Sequence, residues 1–375
     1  AENLTVTYNK AAHSISGTLN HDEATLSYKY GSNDPQATPI PFTNAGEYEI
    51  TISAPATDNY LAVTKNVTLR IDKADSVITV SNLTVTYDGH AHSIEASLNH
   101  SEKPLVYGNN GKTNAGTYEV TISVEESDNY LEASTTATLQ IDKAQATIDA
   151  ENLTVTYNKA AHSISGTLSH SEATLTYTYE STSSSDPIEF TNAGTYVITI
   201  SAPATTNYLA VTKEVTLKIN KAQATITATD KTVTYNKAAH SIAGTLNHDE
   251  TTVKYQAAGV AQQSTPIEFT NAGTYVVTIS AIETANYLSV SKNVTLTIER
   301  AQSIITASDK TVTYDGNVHS IEASLNHNEK ELVYFNNDKT NADTYQVTIS
   351  VPESDNYLEA SVTVTLTINK AEATI

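Results

Sequence analysis

The chain has 375 residues, 39% hydrophobic and 17% charged, with a formal net charge of −21 at pH 7. So acidic a surface repels nucleic acid and anionic membranes, because phosphate binding depends on Lys and Arg. There is no Cys, which excludes disulfides, thiolate metal sites, a Cys nucleophile and an internal thioester.

In chain order, the first predicted element is a strand at "LTVTYN", with Leu4, Val6 and Tyr8 on one face and Thr5 and Thr7 on the other. In "GEYEITIS", Tyr48, Ile50 and Ile52 alternate with Glu47, Glu49 and Thr51. In "VTLRID", Val67, Leu69 and Ile71 alternate with Thr68, Arg70 and Asp72. Then the series starts again. "LTVTYNKAAHSISGTL" at 4–19 recurs unchanged at 153–168, with close copies at 83–98, 231–246 and 310–325. Each copy carries a TNAG-like turn, an Asn-Tyr-Leu motif (Asn59, Asn129, Asn207, Asn286, Asn356) and a closing "IDKA", "INKA" or "IERA".

The aligned Tyr8, Tyr87, Tyr157, Tyr235 and Tyr314 are spaced by 79, 70, 78 and 79 residues, so there are five copies. We place them at 1–73, 74–143, 144–221, 222–300 and 301–370, with 371–375 as the first strand of a following repeat. Repeats 1, 3 and 4 are a long subtype and repeats 2 and 5 a short one; repeat 1 lacks its first strand. In repeat 3 the strands are expected at 146–150, 153–158, 162–168, 174–179, 188–190, 195–202 and 213–220, with 203–210 a loop or a single helical turn.

Period-two alternation with one apolar face suits antiparallel sheets packed on one side. With 22 Tyr, 4 Phe and no Trp, several thin cores are expected rather than one thick one. The predicted fold is all-β: five tandem immunoglobulin-like β-sandwich modules, with a β-grasp-like arrangement as the alternative. Gly46, Gly116, Gly194 and Gly273 of the TNAG turns are expected at φ > 0, with Asp343 tolerating the same region. The Tyr that follows (Tyr48, Tyr118, Tyr196, Tyr275, Tyr345) should enter the core with its hydroxyl at the edge, as in a tyrosine corner.

Together "VTYDG…HSI", "TNAGTY", "NYL" and the closing "I.KA" resemble the MBG/YDG-type repeats of bacterial, often Gram-positive, cell-surface adhesins. The resemblance covers all five copies. It implies an extracellular stalk or adhesive array and brings no catalytic residue. Location at the cell surface is therefore expected, with signal peptide and anchor outside these residues.

The junction "LKINKAQATITA" passes from one repeat to the next without a Gly/Ser or Pro linker. Modules of roughly 35–40 Å joined head to tail predict an extended, semi-rigid rod. The end "INKAEATI" matches the junction at 219–226, and "AENLTVTYNK" at 1–10 repeats 150–159. Two readings follow: a window cut from a longer array, or a C-terminal strand (371–375) donated to repeat 1 of the next chain.

Little catalytic chemistry is expected. His13, His92, His162, His240 and His319 in "HSI", and His21, His100, His170, His248 and His327 in "NH" or "SH", read as structural, because five copies need the fold and not five active sites. Acidic clusters at 21–23, 125–128 and 352–355 read as solvated loops; Ca²⁺ at the junction acids Asp72, Asp142 and Glu299 is the minor alternative. No sequence marks a Lys–Asn isopeptide trio. The sequons at Asn3, Asn66, Asn82, Asn152 and Asn293 follow from Thr-rich strands. The expected function is a non-catalytic stalk or fibre segment without a cofactor. The alternative is a module binding host glycan or surface protein by avidity, through Tyr-rich strands and the loops 30–40, 180–188 and 256–266.

Overall fold

The computed structural model describes residues 1–374, and every regular element among them is a strand. Repeat 2 shows the plan. Ile78–Val80 pairs antiparallel with Ala96–Leu98 in a small sheet. The chain then crosses over, and Leu83–Thr86 lies parallel to the end of Ala133–Asp142. That last strand runs antiparallel to Gly116–Val124, which carries Val106–Gly108 on its other side. The two sheets close over Ile94, Val120, Ile122, Ala137, Leu139 and Ile141, none more than 6% exposed. Val120, Ile122 and Val124 point inward while Glu119 and Thr121 face water, as the period-two pattern requires. This is an immunoglobulin-like β-sandwich, and the plan is repeated along the chain.

The small sheet returns as Ile148–Asp149 with Thr167–Leu168, Ile226–Thr227 with Thr245–Leu246, and Ile305–Thr306 with Ser324–Leu325. The parallel pairing returns in all five repeats. One side chain fixes each crossover: Oδ1 of Asn3, Asn82, Asn152, Asp230 or Asp309 accepts the main-chain N–H of Thr68, Thr138, Thr216, Thr295 or Thr365 at 2.7–2.9 Å. Asn and Asp are interchangeable there because only the oxygen is used. Three of the five sequon asparagines therefore have a structural duty.

The chain divides into two compact units. One comprises Ala1–Glu151, Ser165–Pro187 and Ile198–Val215; the other comprises Asn152–Ile164, Ile188–Val197 and the chain from Thr216. The first holds the junctions of repeats 1 with 2 and 2 with 3, and the second those of 3 with 4 and 4 with 5.

Four expectations are corrected. No helix occurs among the described residues, so the β-grasp alternative falls, and of the two readings of 203–210 the loop holds, closed by Thr205 N–H to the Tyr208 carbonyl. The expected strands at 162–168 and 188–190 reduce to a single bridge between His162 and Phe190, with only Thr167–Leu168 of the first forming a strand. An unexpected strand, Thr182–Ser184, pairs with Thr176–Tyr179; its serines carry no apolar alternation because it lies at an edge facing water. Finally, Gly46, Gly116, Gly194 and Gly273 do not have positive φ, and neither does Asp343. Glycine is used there for room: a Cβ on Gly194 would lie 3.0 Å from the Tyr196 hydroxyl. The tyrosine corner itself forms. Tyr48, Tyr118, Tyr196, Tyr275 and Tyr345 each donate to the carbonyl of the Asn four residues earlier, at 2.8–2.9 Å.

Candidate functional site

The site the fold builds most carefully is the junction between consecutive repeats. Its centre is the Asn of the Asn-Tyr-Leu motif. In repeat 3, Asn207 accepts the N–H of Ala115, in the turn of repeat 2, on Oδ1 at 2.8 Å. Its Nδ2 donates to Glu172 Oε1 at 2.9 Å and to Asn114 Oδ1 at 3.4 Å. Its carbonyl accepts the N–H of Ala144 at 2.8 Å, in the segment that joins the two repeats. The Ala144 carbonyl in turn accepts the N–H of Leu209 at 2.9 Å. One residue thus ties the previous repeat, its own repeat and the connection between them, with its side-chain donors and acceptor all used.

The arrangement is repeated with little change. Ala45 donates to Asn129 at 2.8 Å, Ala193 to Asn286 at 2.7 Å and Ala272 to Asn356 at 2.7 Å. Nδ2 of these asparagines donates to Glu102, Glu250 and Glu329 at 2.9–3.0 Å. All four junction asparagines are buried, at 6–7% exposure. The main-chain bridge falls at Ala74, Ala144, Ala222 and Ala301, which explains the closing "KA". The cation before each Ala also binds the following repeat. Lys73, Lys143 and Lys221 donate to the carbonyls of Ser127, Thr205 and Thr284, and Arg300 pairs with Glu353 at 2.6 Å.

An aromatic stack lies beside each Asn. Tyr208 meets Tyr87 of the preceding repeat edge to face, centroids 5.5 Å apart, and His170 stacks flat on its other side at 3.9 Å. The same trio forms from Tyr8, Tyr130 and His100, from Tyr157, Tyr287 and His248, and from Tyr235, Tyr357 and His327. The His Nδ1 accepts the N–H of the clamp glutamate, as in Glu172 to His170 at 3.1 Å, which puts the ring proton on Nε2. In the short repeats Nε2 meets Ser76 or Ser303 at 2.9 Å. In repeats 3 and 4 the matching residues are Ala146 and Ala224, and Nε2 of His170 and His248 is buried without a partner.

The clamp carboxylates are tuned by these contacts. Donation from Asn207 and Thr205 holds Glu172 below the usual glutamate range. Thr284 and Asn286 do the same for Glu250, and Thr57 and Asn59 for Glu23. Burial pushes Glu102 and Glu329 up, but donation from Ser127 with Asn129, and from Ser354 with Asn356, outweighs it and the net shift is down. Burial lifts the phenols of Tyr87 and Tyr235, and the carboxylates of Glu172 and Glu329 in the following repeat lift them further.

The "HSI" histidines lie elsewhere, each bridging to Phe42, Lys112, Phe190, Phe269 or Lys339, with Nε2 on the Asn or Asp four residues earlier. The acidic clusters are not simply solvated: Glu23 binds Thr57 and Asn59, Glu126 pairs with Lys73, and Glu353 with Arg300. Of the acids considered for Ca²⁺, Asp72 pairs with Arg70 at 2.5 Å and Asp142 accepts from Gln140 at 2.9 Å. Among the described residues no group of three or more His, Asp or Glu side chains converges as a metal site.

A tandem series of immunoglobulin-like sandwiches, each clamped to the next by an Asn, defines a β-sandwich repeat protein. Residues 76–145 match the MBG domain family, and the other copies share the motifs and pairing scheme of that repeat. The chain is 24% identical over 372 residues to Internalin I of Listeria monocytogenes serovar 1/2a, covering 90% of this chain and 21% of that protein. Internalin I of serotype 4b matches to the same extent. The chain thus spans about a fifth of the length of these curated relatives. Similar solved structures include Sidekick-1 immunoglobulin domains 1–5, 10% identical over 99% of this chain and 98% of that one with TM-score 0.28. Drosophila N-cadherin EC1-4 is 10% identical over 99% of each chain with TM-score 0.23.

Proposed function

We propose that the chain is a non-catalytic structural segment of a bacterial cell-surface protein, a spacer whose repeats are held at fixed mutual geometry. The observation that carries this is the fourfold recurrence of the Asn clamp. An ordinary flexible linker leaves its flanking modules free; here the connecting residues are themselves hydrogen-bonded to the next module. Removing one clamp leaves an alanine N–H and a carboxylate short of partners, a cost of about 1–3 kcal/mol. The likeness to Internalin I supports the surface location.

The test uses the absence of Cys: spin labels at Lys292→Cys and Thr363→Cys report one junction without background thiols. The expected result is a narrow, single-peaked distance distribution that broadens in Asn356→Ala. A broad distribution in the unclamped and clamped proteins alike would overturn the reading.

An adhesive role is the second reading. It is favoured by variation of the loop tips at 30–40, 180–188 and 256–266 on an otherwise repeated frame. Binding of the chain on a glycan array, lost when these loops are replaced by one another's sequence, would support it; an array without signal would remove it.

A further inference from the structure

We propose that each repeat is built to carry tension along the chain, and that the load falls on the parallel pair between its first large-sheet strand and its last. Repeat 5 shows the geometry. Lys310–Thr313 lies parallel to the end of Ala360–Asn369, with Lys310 opposite Leu366 and Thr313 opposite Asn369. The chain therefore enters the pair at the Leu366 end and leaves it at the Asn369 end. Entry and exit stand about 10 Å apart along the strands and about 4.8 Å apart across them. Tension applied through the chain draws the two strands along their length in opposite senses. Every bond of the pair is then strained at once. A pull that entered and left at the same end would open the bonds one after another.

The pair is fastened at both ends. Ahead of it, Asp309 Oδ1 accepts the main-chain N–H of Thr365 at 2.7 Å. Beyond it, the Tyr314 N–H donates to the Asn369 carbonyl at 2.8 Å. Val312 packs against the core that contains the buried Leu366 and Ile368, so sliding also moves an apolar side chain off that core. The last strand is held in turn by Asp343–Val351, paired antiparallel from Ala360 to Ile368. The small sheet ahead holds less, with only Ile305–Thr306 against Ser324–Leu325. The pair is complete without the expected donor strand. Residues 371–374 are exposed and outside any strand, and residue 375 of that segment lies outside the described residues.

The long and short subtypes differ in their loops yet keep this arrangement. Each of the five repeats has four residue pairs in parallel register. Each has the side-chain cap before them and a tyrosine N–H bond after them at 2.8 Å. The inference goes beyond the spacer reading. It concerns load inside one repeat and stands whether or not the junction clamps hold neighbours at fixed geometry.

Optical-tweezers pulling of the full chain tests it, with handles on cysteine pairs that the Cys-free chain accepts without background. Handles at Ser308→Cys and Lys370→Cys load the pair lengthwise. Handles at Val318→Cys, a 61% exposed site, and Lys370→Cys open it from the Asn369 end. The expected result, at equal loading rate, is a lengthwise unfolding force at least roughly twofold the force from the end, because forced unfolding is set by the barrier along the pull. Each lengthwise event should release roughly 200 Å of chain, the segment between the handles at about 3.6 Å per residue. Asp309→Ala should lower the lengthwise force, and Asp309→Asn, the residue that repeats 1, 2 and 3 carry there, should restore it. The comparison of directions uses surface sites alone and needs no weakened fold. Equal forces in the two directions, or a lengthwise force untouched by Asp309→Ala, would overturn the proposal.

Discussion

At the scale of single residues, the junction is decided by side chains with very specific duties. Asn207 is one; the buried His170 is another. A hydroxyl at position 146 would give the His170 Nε2–H the acceptor that Ser76 and Ser303 give His100 and His327. Ala146→Ser should therefore raise stability by up to about 1 kcal/mol, and Ser303→Ala should lower it, both read from urea midpoints. Lys159 stands at φ 69 in the "YNKAAH" turn, where the short repeats have Gly89 and Gly316 at φ 83 and 79. Lys159→Gly should stabilise by about 0.5–1 kcal/mol, since the left-handed region strains a residue with a Cβ. The tyrosine corner and the structural histidines were legible in the sequence, because each recurs with its partner at fixed spacing. The role of Asn207 was not. Its partners Ala115 and Glu172 lie 92 and 35 residues away, and no local pattern links them. The signal available was its constancy across copies whose flanking residues vary.

At the scale of elements, the two subtypes differ in how deeply one strand tyrosine is buried. In the long repeats Gly17 faces Leu26 and Ile52, Gly166 faces Ile148 and Ala150, and Gly244 faces Ile226 and Ile279, and Tyr28, Tyr177 and Tyr255 are buried at 3–4% exposure. In the short repeats Ala96 and Ala323 take those positions, and Tyr107 and Tyr334 are 36–37% exposed. The hydroxyl bond is kept in both: Gly244 N–H to Tyr255 at 3.1 Å, Ala96 N–H to Tyr107 at 3.0 Å. A Cβ on Gly244 would lie 3.1–3.2 Å from Ile279 and Ile226, so Gly244→Ala should destabilise by about 1–3 kcal/mol, measurable by thermal unfolding. Strands with an apolar face were legible from alternation alone. Thr182–Ser184 and the reduction of 188–190 to one bridge were not, because an edge strand open to water carries no such pattern.

At the scale of the whole molecule, stability is shared between sandwiches and the contacts that join them, as in other stacked-repeat proteins. Acid should act on the joints. The clamp glutamates have folded-state values below the ordinary glutamate range, so their contribution is fully present above that range and is lost as pH falls through the depressed values. Melting temperature should therefore fall on the acid side of the glutamate range, and Glu172→Gln should remove part of that dependence. The central claim is that the Asn clamp forms and couples neighbouring repeats. Hydrogen exchange at the Ala115 amide, compared between the native chain and Asn207→Ala, tests it most directly. The account predicts slow exchange that accelerates at least roughly tenfold in the variant, while Ile122 in the same sandwich is unchanged. Fast exchange at Ala115 in the native chain, or no response to the substitution, would contradict it.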